Sequence, residues 1–274
     1  MVTHPTAPSS PYATLPTELT GAIAAALKAG PVLLASDFDG VLAPLVNDPA
    51  ASRMTTQSAA ALTKVAYHDN RNLALALVSG RPLAQLFDLA RPPHRTYLIG
   101  SHGAESGQVQ HGQLRRAPHT LSPAQAAALT AVTALAHELA LTTPGAWVEE
   151  KPESAVLHTR QSDPDQAAAV NDLFETRAAH LPVFLMAGKN VVEAAVSQAS
   201  KGVSLRELQS ELDLPVVIYL GDDVTDETVF TGLTTTDIGI KVGEGQTAAR
   251  FRVWNVTEVS LLLAYIADMV SKDC

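Results

Sequence analysis

Short runs of apolar residues alternate with helical stretches along most of the chain. The runs are apolar on both faces and are separated by amphipathic segments, a pattern that predicts a parallel sheet in an α/β fold. The first helix is expected at residues 17–29. Four apolar runs end directly before a polar or glycine-bearing turn: Val32–Ala35 before Ser36-Asp37, Leu73–Val78 before Ser79-Gly80, Tyr97–Ile99 before Gly100-Ser101-His102, and Val216–Leu220 before Gly221-Asp222.

The stretch from 107 to 187 has a different pattern. It opens with alternating residues at 108–115 and continues with an Ala/Leu-rich amphipathic helix at 123–141. Strands around 147–148, 155–158 and 183–186 then flank a helix at 163–180, which predicts two helices on an antiparallel sheet. The predicted organisation is a flexible N-terminal segment at 1–16, a first part of the core at 17–106, an inserted α+β module at 107–187, and a second part of the core at 188–274.

Composition narrows the class of protein. The 274 residues are 46% hydrophobic and 17% charged, which excludes disorder for most of the length. The 28 acidic residues outnumber the 19 basic ones and no basic block occurs, so nucleic acid and anionic membranes are not expected as partners. No apolar run approaches the roughly 20 residues of a membrane span, and no secretion signal is recognised at the start. Cys274 is the only cysteine, which rules out an internal disulfide and favours a cytoplasmic protein.

Acidic residues follow two of the predicted strands. Asp37 and Asp39 are spaced two apart at the end of a buried strand, where like charges repel unless a cation compensates them. Mg²⁺ prefers oxygen ligands, and Asp222 after a second strand could complete its site. Helix capping explains one of these aspartates at a time but not both strand ends together. In open α/β sheets, ligands bind beyond the carboxyl ends of the strands, so we expect a Mg²⁺ site there.

Four segments resemble, in order, the four motifs of the haloacid dehalogenase (HAD) superfamily of phosphatases: Asp37-Phe38-Asp39-Gly40, Val78-Ser79-Gly80-Arg81, Lys201-Gly202, and Gly221-Asp222-Asp223-Val224-Thr225-Asp226-Glu227. Further segments resemble the trehalose-6-phosphate phosphatases within that superfamily: Ser101-His102-Gly103-Ala104-Glu105, Glu149-Glu150-Lys151 with Ser154, His158 and Arg160, and Glu193. The family often has a proline shortly before the motif-three lysine, where this chain reads Ser197-Gln198-Ala199-Ser200. The resemblance implies a HAD-type three-layer core with a parallel Rossmann-like sheet, an inserted α+β cap domain, Mg²⁺ as cofactor, and a sugar phosphate as substrate.

Each motif residue has a physical role consistent with the resemblance. Asp37 is the expected nucleophile, which forms an aspartyl-phosphate, and Asp39 is the expected acid and then base. That role predicts that neighbouring carboxylates raise the pKa of Asp39. Mg²⁺ is expected on Asp37, Asp222 and the backbone carbonyl of Asp39. Ser79 is expected to donate a hydrogen bond to the phosphoryl group.

The remaining site residues have less direct assignments. Lys201 is expected to place positive charge on the phosphoryl group, although a lysine at a helix start is also compatible with simple solvation. Asp226, one helical turn after Asp222, either holds the metal through a water or orients Lys201. Asp223 is a ligand or a neighbour of the ligands, and the sequence leaves both open. The residues expected to bind substrate are Arg81, His102, Glu149, Lys151 and Glu193.

The leading hypothesis from the resemblance is hydrolysis of trehalose 6-phosphate to trehalose and phosphate, with functional pairing to a trehalose-6-phosphate synthase. One alternative is a capped HAD phosphatase for another sugar phosphate, such as sucrose 6-phosphate or a mannosyl glycerate ester. Retention of Asp39 is also compatible with phosphoryl transfer to a second sugar, as in mutases. A further alternative is a sensor that binds a sugar phosphate without turnover, although a sensor has no need of a nucleophile at Asp37.

Overall fold

The computed structural model describes residues 11–67, 73–118, 121–151, 153–188, 190–197 and 199–272. The described chain contains eight α-helices: α1 (Thr17–Ala29), α2 (Thr56–Tyr67), α3 (Leu83–Ala90), α4 (Pro123–Thr142), α5 (Pro164–Ala178), α6 (Lys201–Glu211), α7 (Glu227–Phe230) and α8 (Val256–Lys272). The strands are β1 (Val32–Ser36), β2 (Leu73–Val78), β3 (Tyr97–Gly100), β4 (Glu105–Gln110), β5 (Gln113–Arg116), β6 (Trp147–Glu150), β7 (Ser154–His158), β8 (Phe184–Gly188), β9 (Val191–Ala195), β10 (Val216–Gly221), β11 (Ile238–Val242) and β12 (Phe251–Val253).

The chain forms two compact units, one from Met1–Ala117 with Ala199–Cys274 and the other from Pro118–Gln198. The larger unit is built on an eight-stranded sheet in the order β12-β11-β10-β1-β2-β3-β4-β5, in which the strands from β12 to β3 run parallel. Side chains of α1, α2, α3 and α8 pack on one face of this sheet, and those of α6 and α7 pack on the other. The result is the predicted three-layer α/β core with a parallel sheet.

The direction in which successive strands are added to the sheet reverses at its centre. β1 pairs with β10 on one side and with β2 on the other, so the chain proceeds outward from β1 in both directions. This arrangement is a topological switch point, where the connections leave a crevice beyond the carboxyl ends of the strands. Asp37 follows β1 and Asp222 follows β10, which places the two acidic motifs on neighbouring strands at that crevice.

The boundaries expected at 107 and 187 fall inside strands β4 and β8. The hairpin β4–β5 belongs to the core sheet because β4 pairs antiparallel with β3, and its alternating residues were attributed wrongly to the insert. Conversely, β9 pairs with β7 and β8 in the smaller sheet instead of starting the second part of the core. A strand joins the sheet whose edge offers its backbone hydrogen-bonding partners, and local pattern does not reveal which sheet that is.

The smaller unit has an antiparallel sheet in the order β6-β7-β9-β8, as an α+β module requires. Helices α4 and α5 cover one face of it through a cluster that includes Leu135, Leu157, Phe174 and Val192. Helix α4 is long and apolar enough to cross a membrane by length and composition alone, contrary to the expectation that no apolar run approaches that length. Its buried positions, among them Val132 and Ala136, pack in this cluster, as in the core helix of a small domain.

The expected flexible segment covers residues 1–16, of which residues 1–10 lie outside the described residues. The described part is anchored, which corrects the expectation for residues 11–16. Leu15 is buried in the core, and the ring of Tyr12 contacts that of Tyr265 edge-on at 5.3 Å. The Tyr12 hydroxyl also donates to Asp268 at 2.5 Å, so Tyr12 attaches this segment to α8.

Candidate active site

A buried lysine joins two buried carboxylates at the centre of the site. Lys201 lies at the first position of α6, and its Nζ is 2.8 Å from both Asp37 Oδ2 and Asp226 Oδ1. Its side chain is 3% exposed, which excludes a solvated lysine at a helix start. Asp37 is fixed at its other oxygen by the main-chain N–H of Phe38, at 2.6 Å. A buried ion pair with these additional hydrogen bonds is held in one geometry.

Asp226 uses all of its hydrogen-bonding capacity within the protein. Its Oδ1 accepts from Lys201 and from the hydroxyl of Tyr219 at 2.6 Å. Its Oδ2 accepts from the main-chain N–H groups of Asp222 and Asp223, at 2.9 and 3.0 Å. Four donors match the roughly four lone-pair positions of a carboxylate. Asp226 therefore orients Lys201 and the loop after β10 and leaves no lone pair for a metal.

The carboxylates of Asp37, Asp222 and Asp226 offer oxygen atoms that all lie within 4.8 Å of one another. Because the oxygens of Asp226 are engaged, Asp37 and Asp222 are the two available ligands, which is a donor set that suits Mg²⁺. Asp222 lies over Gly40, where a Cβ atom would be 1.9 Å from its Oδ2. Asp223 caps the following turn by accepting from the N–H of Val224 at 2.7 Å, so it acts locally in the loop.

Burial and crowding of negative charge shift the pKa values of these carboxyls. Burial raises the pKa of Asp37, the charge of Asp226 raises it further, and the ammonium of Lys201 acts in the opposite direction. Burial, and next the charge of Asp226, raise the pKa of Asp222 to about 6. Burial lowers the pKa of Lys201, but the carboxylates of Asp37 and Asp226 outweigh it and raise the pKa, so the lysine stays charged. Three carboxylates lie close together here and Lys201 contacts two of them, an excess of negative charge that favours the binding of a cation.

Asp39 has a different environment from the one expected. Its carboxylate is paired with Arg81 in two hydrogen bonds, Nε to Oδ2 at 2.5 Å and Nη2 to Oδ1 at 2.8 Å, and accepts a third from Ser52 at 2.8 Å. Burial raises the pKa of Asp39, but these hydrogen bonds and the charges of Arg81 and Lys201 outweigh it and lower the pKa. The expected increase is wrong for this structure because a guanidinium, and not a carboxylate, is the nearest charge.

Ser79 and His102 lie at the ends of the next two strands. Ser79 is buried, and its Oγ accepts from the N–H of Arg81 at 3.2 Å, which orders the turn after β2. The imidazole of His102 packs directly over Gly80, where a Cβ atom would lie 2.5 Å from its Cε1. Burial, and next the charge of Lys201, lower the pKa of His102. Glu105 accepts from the first N–H of α3 at 2.9 Å, so Glu105 and not Ser79 caps that N–H.

The predicted residues of the smaller unit lie on the face of its sheet opposite the helices. Glu149 and Glu193 are both cross-strand partners of Val156, so their side chains leave the same face. Lys151 Nζ is 3.1 Å from Glu193 Oε1, which also accepts from Ser154 at 2.5 Å. These groups form a row of charged donors and acceptors on one surface.

An aromatic pair continues this row. Glu149 Oε2 is 2.9 Å from Nε2 of His158, whose ring stacks on Trp147 at 3.9 Å and 6°. Trp147 is 47% exposed, so it presents an open ring beside the charged row.

Some residues of the site carry no recognisable sequence signal. Ser52 reaches Asp39 from a loop, and Tyr219 reaches Asp226 from inside an apolar strand. Lys241 is the exception: a lone lysine in the run Ile-Gly-Ile-Lys-Val is a signal that could have identified it. It is buried and donates to the main-chain carbonyl of Asp222 at 2.5 Å.

A parallel sheet whose switch point carries a buried aspartate, lysine and second aspartate, together with an inserted α+β unit, defines a HAD-type protein. The family model for trehalose-phosphatase matches residues 35–255, which include all four motifs. The chain belongs to the trehalose-phosphatase family.

Relatives agree with this membership, and a solved structure shares the fold. The chain is 29% identical over 249 residues to a trehalose-phosphate phosphatase of Mycobacterium marinum, a match that covers 86% of this chain and 61% of the relative. It is 33% identical over 190 residues to a trehalose-6-phosphate phosphatase of Escherichia coli, covering 68% of each. A crystal structure of Aspergillus fumigatus trehalose-6-phosphate phosphatase has the same fold, with a TM-score of 0.71 at 23% identity over 92% of this chain and 97% of that one. The chain thus spans less than two thirds of the length of the mycobacterial relative.

Proposed function

We propose that this chain is a Mg²⁺-dependent phosphatase that hydrolyses trehalose 6-phosphate to trehalose and phosphate. The observation that carries the proposal is the buried contact of Lys201 with Asp37 beside Asp222 at the switch point of the sheet, in a member of the trehalose-phosphatase family. An aspartate with a compensating cation at the carboxyl end of a central strand suits attack on a phosphate ester.

The nucleophile is held ready by its neighbours. Phe38 N–H and Lys201 fix the two oxygens of Asp37, and we propose that one of these oxygens attacks phosphorus to form an aspartyl-phosphate. Lys201 balances negative charge that grows on the phosphoryl oxygens, while Ser79 donates a hydrogen bond to one of them. Asp37 and Asp222 would hold Mg²⁺ together with the main-chain carbonyl of Asp39. When bound, the ion neutralises charge between the nucleophile and the phosphate dianion.

Asp39 is the proposed acid and base, and Arg81 controls when it can act. Arg81 stabilises the ionised carboxylate in this structure, so Asp39 can carry a proton only when the guanidinium moves away. A substrate phosphate is a competing bidentate partner for that guanidinium. Asp39 then protonates the leaving sugar oxygen and, in the second half of the reaction, accepts a proton from the water that attacks the aspartyl-phosphate.

The smaller unit is proposed to recognise the sugar. Lys151 and Glu193 offer a donor and an acceptor side by side, and Glu149 offers a second acceptor on the same face. Sugar hydroxyls both donate and accept hydrogen bonds. Such a row of residues is therefore better suited to bind a disaccharide than to bind a small phosphate ester. His102 and Arg81 are proposed to contact the phosphate end of the substrate. Water exclusion during turnover is expected to require closure over the substrate.

A partner and a location are part of the proposal. Glycosyl transfer to a sugar phosphate is one reaction that supplies a phosphorylated disaccharide, and we propose functional pairing with a trehalose-6-phosphate synthase in the cytoplasm. The family membership supports the sugar phosphate as substrate class.

The test is phosphate release from trehalose 6-phosphate, sucrose 6-phosphate and glucose 6-phosphate, each in Mg²⁺ and in EDTA. Strong metal-dependent preference for trehalose 6-phosphate is the expected result, and Asp37→Asn serves as the matched inactive protein. Preference for another ester would support the proposed metal-dependent hydrolysis and refute trehalose 6-phosphate as the substrate. Transfer of phosphate to a second sugar would indicate a mutase, and binding without turnover would indicate a sensor.

A further inference from the structure

A second buried lysine lies beside the acidic motif after β10. Lys241 is the fourth residue of β11, is 4% exposed, and is flanked by the buried apolar side chains of Ile240 and Val242. An ammonium in the interior of a sheet is costly to desolvate unless its interactions compensate that cost. Its position in the fold therefore calls for a specific partner.

That partner is a main-chain group and not a carboxylate. The Nζ atom of Lys241 donates to the carbonyl oxygen of Asp222 at 2.5 Å, and β11 is in register so that Lys241 lies opposite Gly221. Across the part of the chain that the structure describes, no carboxylate oxygen lies within 4 Å of this ammonium, whereas Lys201 contacts two. The role of Lys241 thus differs from simple ion pairing.

The contact completes the fixation of Asp222. Its main-chain N–H donates to Asp226 Oδ2 at 2.9 Å, and its carbonyl accepts from Lys241, so buried ionic side chains hold both of its backbone polar groups. Its carboxylate meanwhile lies against the bare backbone of Gly40. The backbone from which this carboxylate extends is thus held on both sides, and in this structure the carboxylate places an oxygen within 4.8 Å of one of Asp37.

We propose that Lys241 is a positioning residue for the metal site: its ammonium fixes the carbonyl of Asp222 and thereby orients the Asp222 carboxylate for a divalent cation. The inference rests on the proposed function, since it assigns a role in the Mg²⁺ site of that reaction. The proposed role predicts the direction in which loss of the ammonium changes Mg²⁺ affinity. A positive charge near a cation site repels the cation, so an ammonium that acted only through its charge would weaken metal binding. A positioning ammonium strengthens binding despite that repulsion.

The experiment is a calorimetric titration with Mg²⁺ of the unmodified chain and of Lys241→Met, which keeps the aliphatic stem and removes the ammonium. We expect Mg²⁺ affinity to fall by about 10- to 100-fold, the range typical when a partner of a metal ligand is removed. The concentration of Mg²⁺ that gives half-maximal phosphatase activity is expected to rise in parallel, while the KM for sugar phosphate at saturating Mg²⁺ changes little. Lys28→Met, at an exposed position of α1, is the matched control and is expected to leave both values unchanged.

The outcomes separate the possibilities. Tighter or unchanged Mg²⁺ binding by folded Lys241→Met would overturn the inference and leave the proposed function intact. Absence of Mg²⁺ binding by the unmodified chain would refute the proposed function and this inference together. Lys241→Arg retains a charged donor and is expected to restore most of the affinity. If circular dichroism shows that Lys241→Met does not fold, Lys241→Gln serves in its place, with weaker Mg²⁺ binding expected and tighter or unchanged binding contradictory.

Discussion

Substitution of Gly40 by alanine perturbs the metal site at one defined point. Gly40 has φ of +75°, and a Cβ atom there would lie 1.9 Å from Oδ2 of Asp222. Real contacts of this kind are not shorter than 3.0 Å, so the carboxylate has to move by at least about 1.1 Å, from 1.9 to 3.0 Å. The main chain of Asp222 is held by Asp226 and Lys241, which leaves side-chain rotation away from Asp37 as the available response.

The expected effect has a backbone part and a site part. The left-handed conformation costs an alanine about 1–2 kcal/mol of folding stability wherever it occurs. Displacement of a positioning group by about 1 Å can lower a reaction rate on the order of 100-fold. That loss corresponds to about 2.7 kcal/mol of transition-state stabilisation, since each tenfold is about 1.36 kcal/mol. We therefore expect kcat/KM for the sugar phosphate to fall about 100-fold in Gly40→Ala, with a modest decrease in Tm.

Gly112 provides a matched control, because its φ is +73° and a Cβ atom there meets no atom within 4 Å. Gly112→Ala is expected to show a similar decrease in Tm and nearly unchanged kcat/KM. Phosphate release at saturating Mg²⁺, with thermal unfolding of both variants, makes the comparison. Equal kcat/KM in the two folded variants would refute the reasoning that the position of Asp222 limits the rate. A Mg²⁺ requirement unchanged in Gly40→Ala would count against Asp222 as a ligand.

Three other expectations follow from the same contacts. Because the pKa of Asp222 is raised to about 6, the folded, metal-free chain binds a proton more tightly than the unfolded chain. Its contribution to stability is present at low pH and is lost as pH rises through about 6. The increase in Tm caused by Mg²⁺ requires ionised carboxylates and should disappear below about pH 6, as thermal scans at several pH values would show. Arg81→Met removes the hydrogen bonds that lower the pKa of Asp39, so the alkaline limb of the pH–rate profile should move to higher pH, and an unmoved limb would argue against Asp39 as the acid. Glu149→Ala should raise KM for the sugar phosphate far more than for a small artificial phosphate ester, and equal effects would remove Glu149 from sugar recognition.

The strand ends were the most informative part of the sequence. Apolar runs that stop at Asp37, Ser79 and Asp222 predict both a parallel sheet and a shared edge, because the carboxyl ends of parallel strands meet on one side. The structure confirms this sheet, and the switch point between β1 and β10 brings the two acidic motifs onto neighbouring strands. This part of the fold was predictable because it depends on the direction of strands and on local pattern alone.

Other features depend on long-range geometry that local pattern does not contain. The pairing of Arg81 with Asp39 joins residues 42 positions apart, and it reverses the sign of the pKa shift expected for Asp39. The hairpin β4–β5 could have continued either sheet, since alternation indicates a strand but not its neighbour. The stacking of Trp147 on His158, which leaves the indole about half exposed, joins residues of two different strands. In each case, a partner distant in sequence determined the outcome.

The glycines of the four motifs have a common physical basis. Each lies next to a functional side chain at a point where another group approaches the backbone too closely for a Cβ atom. The distances from a would-be Cβ atom are 1.9 Å to Asp222 at Gly40, 2.5 Å to His102 at Gly80, 2.2 Å to the carbonyl of Thr228 at Gly202, and 2.5 Å to Asp226 at Gly221. Of these four glycines only Gly40 has a positive φ, so at the other three positions glycine is required because a Cβ atom has no space.

This close approach allows a small group of charges to be buried together. Lys201 can reach both Asp37 and Asp226 because the start of α6 packs directly on the backbone of α7 through Gly202. Asp226 can in turn accept from the loop after β10 because Gly221 offers no side chain. In a dry site, the interaction between charges strengthens as the effective dielectric falls, so compact packing around the lysine offsets part of the cost of burying Asp37 and Asp226. The motifs thus pair charged residues with glycine because the charges need contact distances that any larger neighbouring residue would prevent.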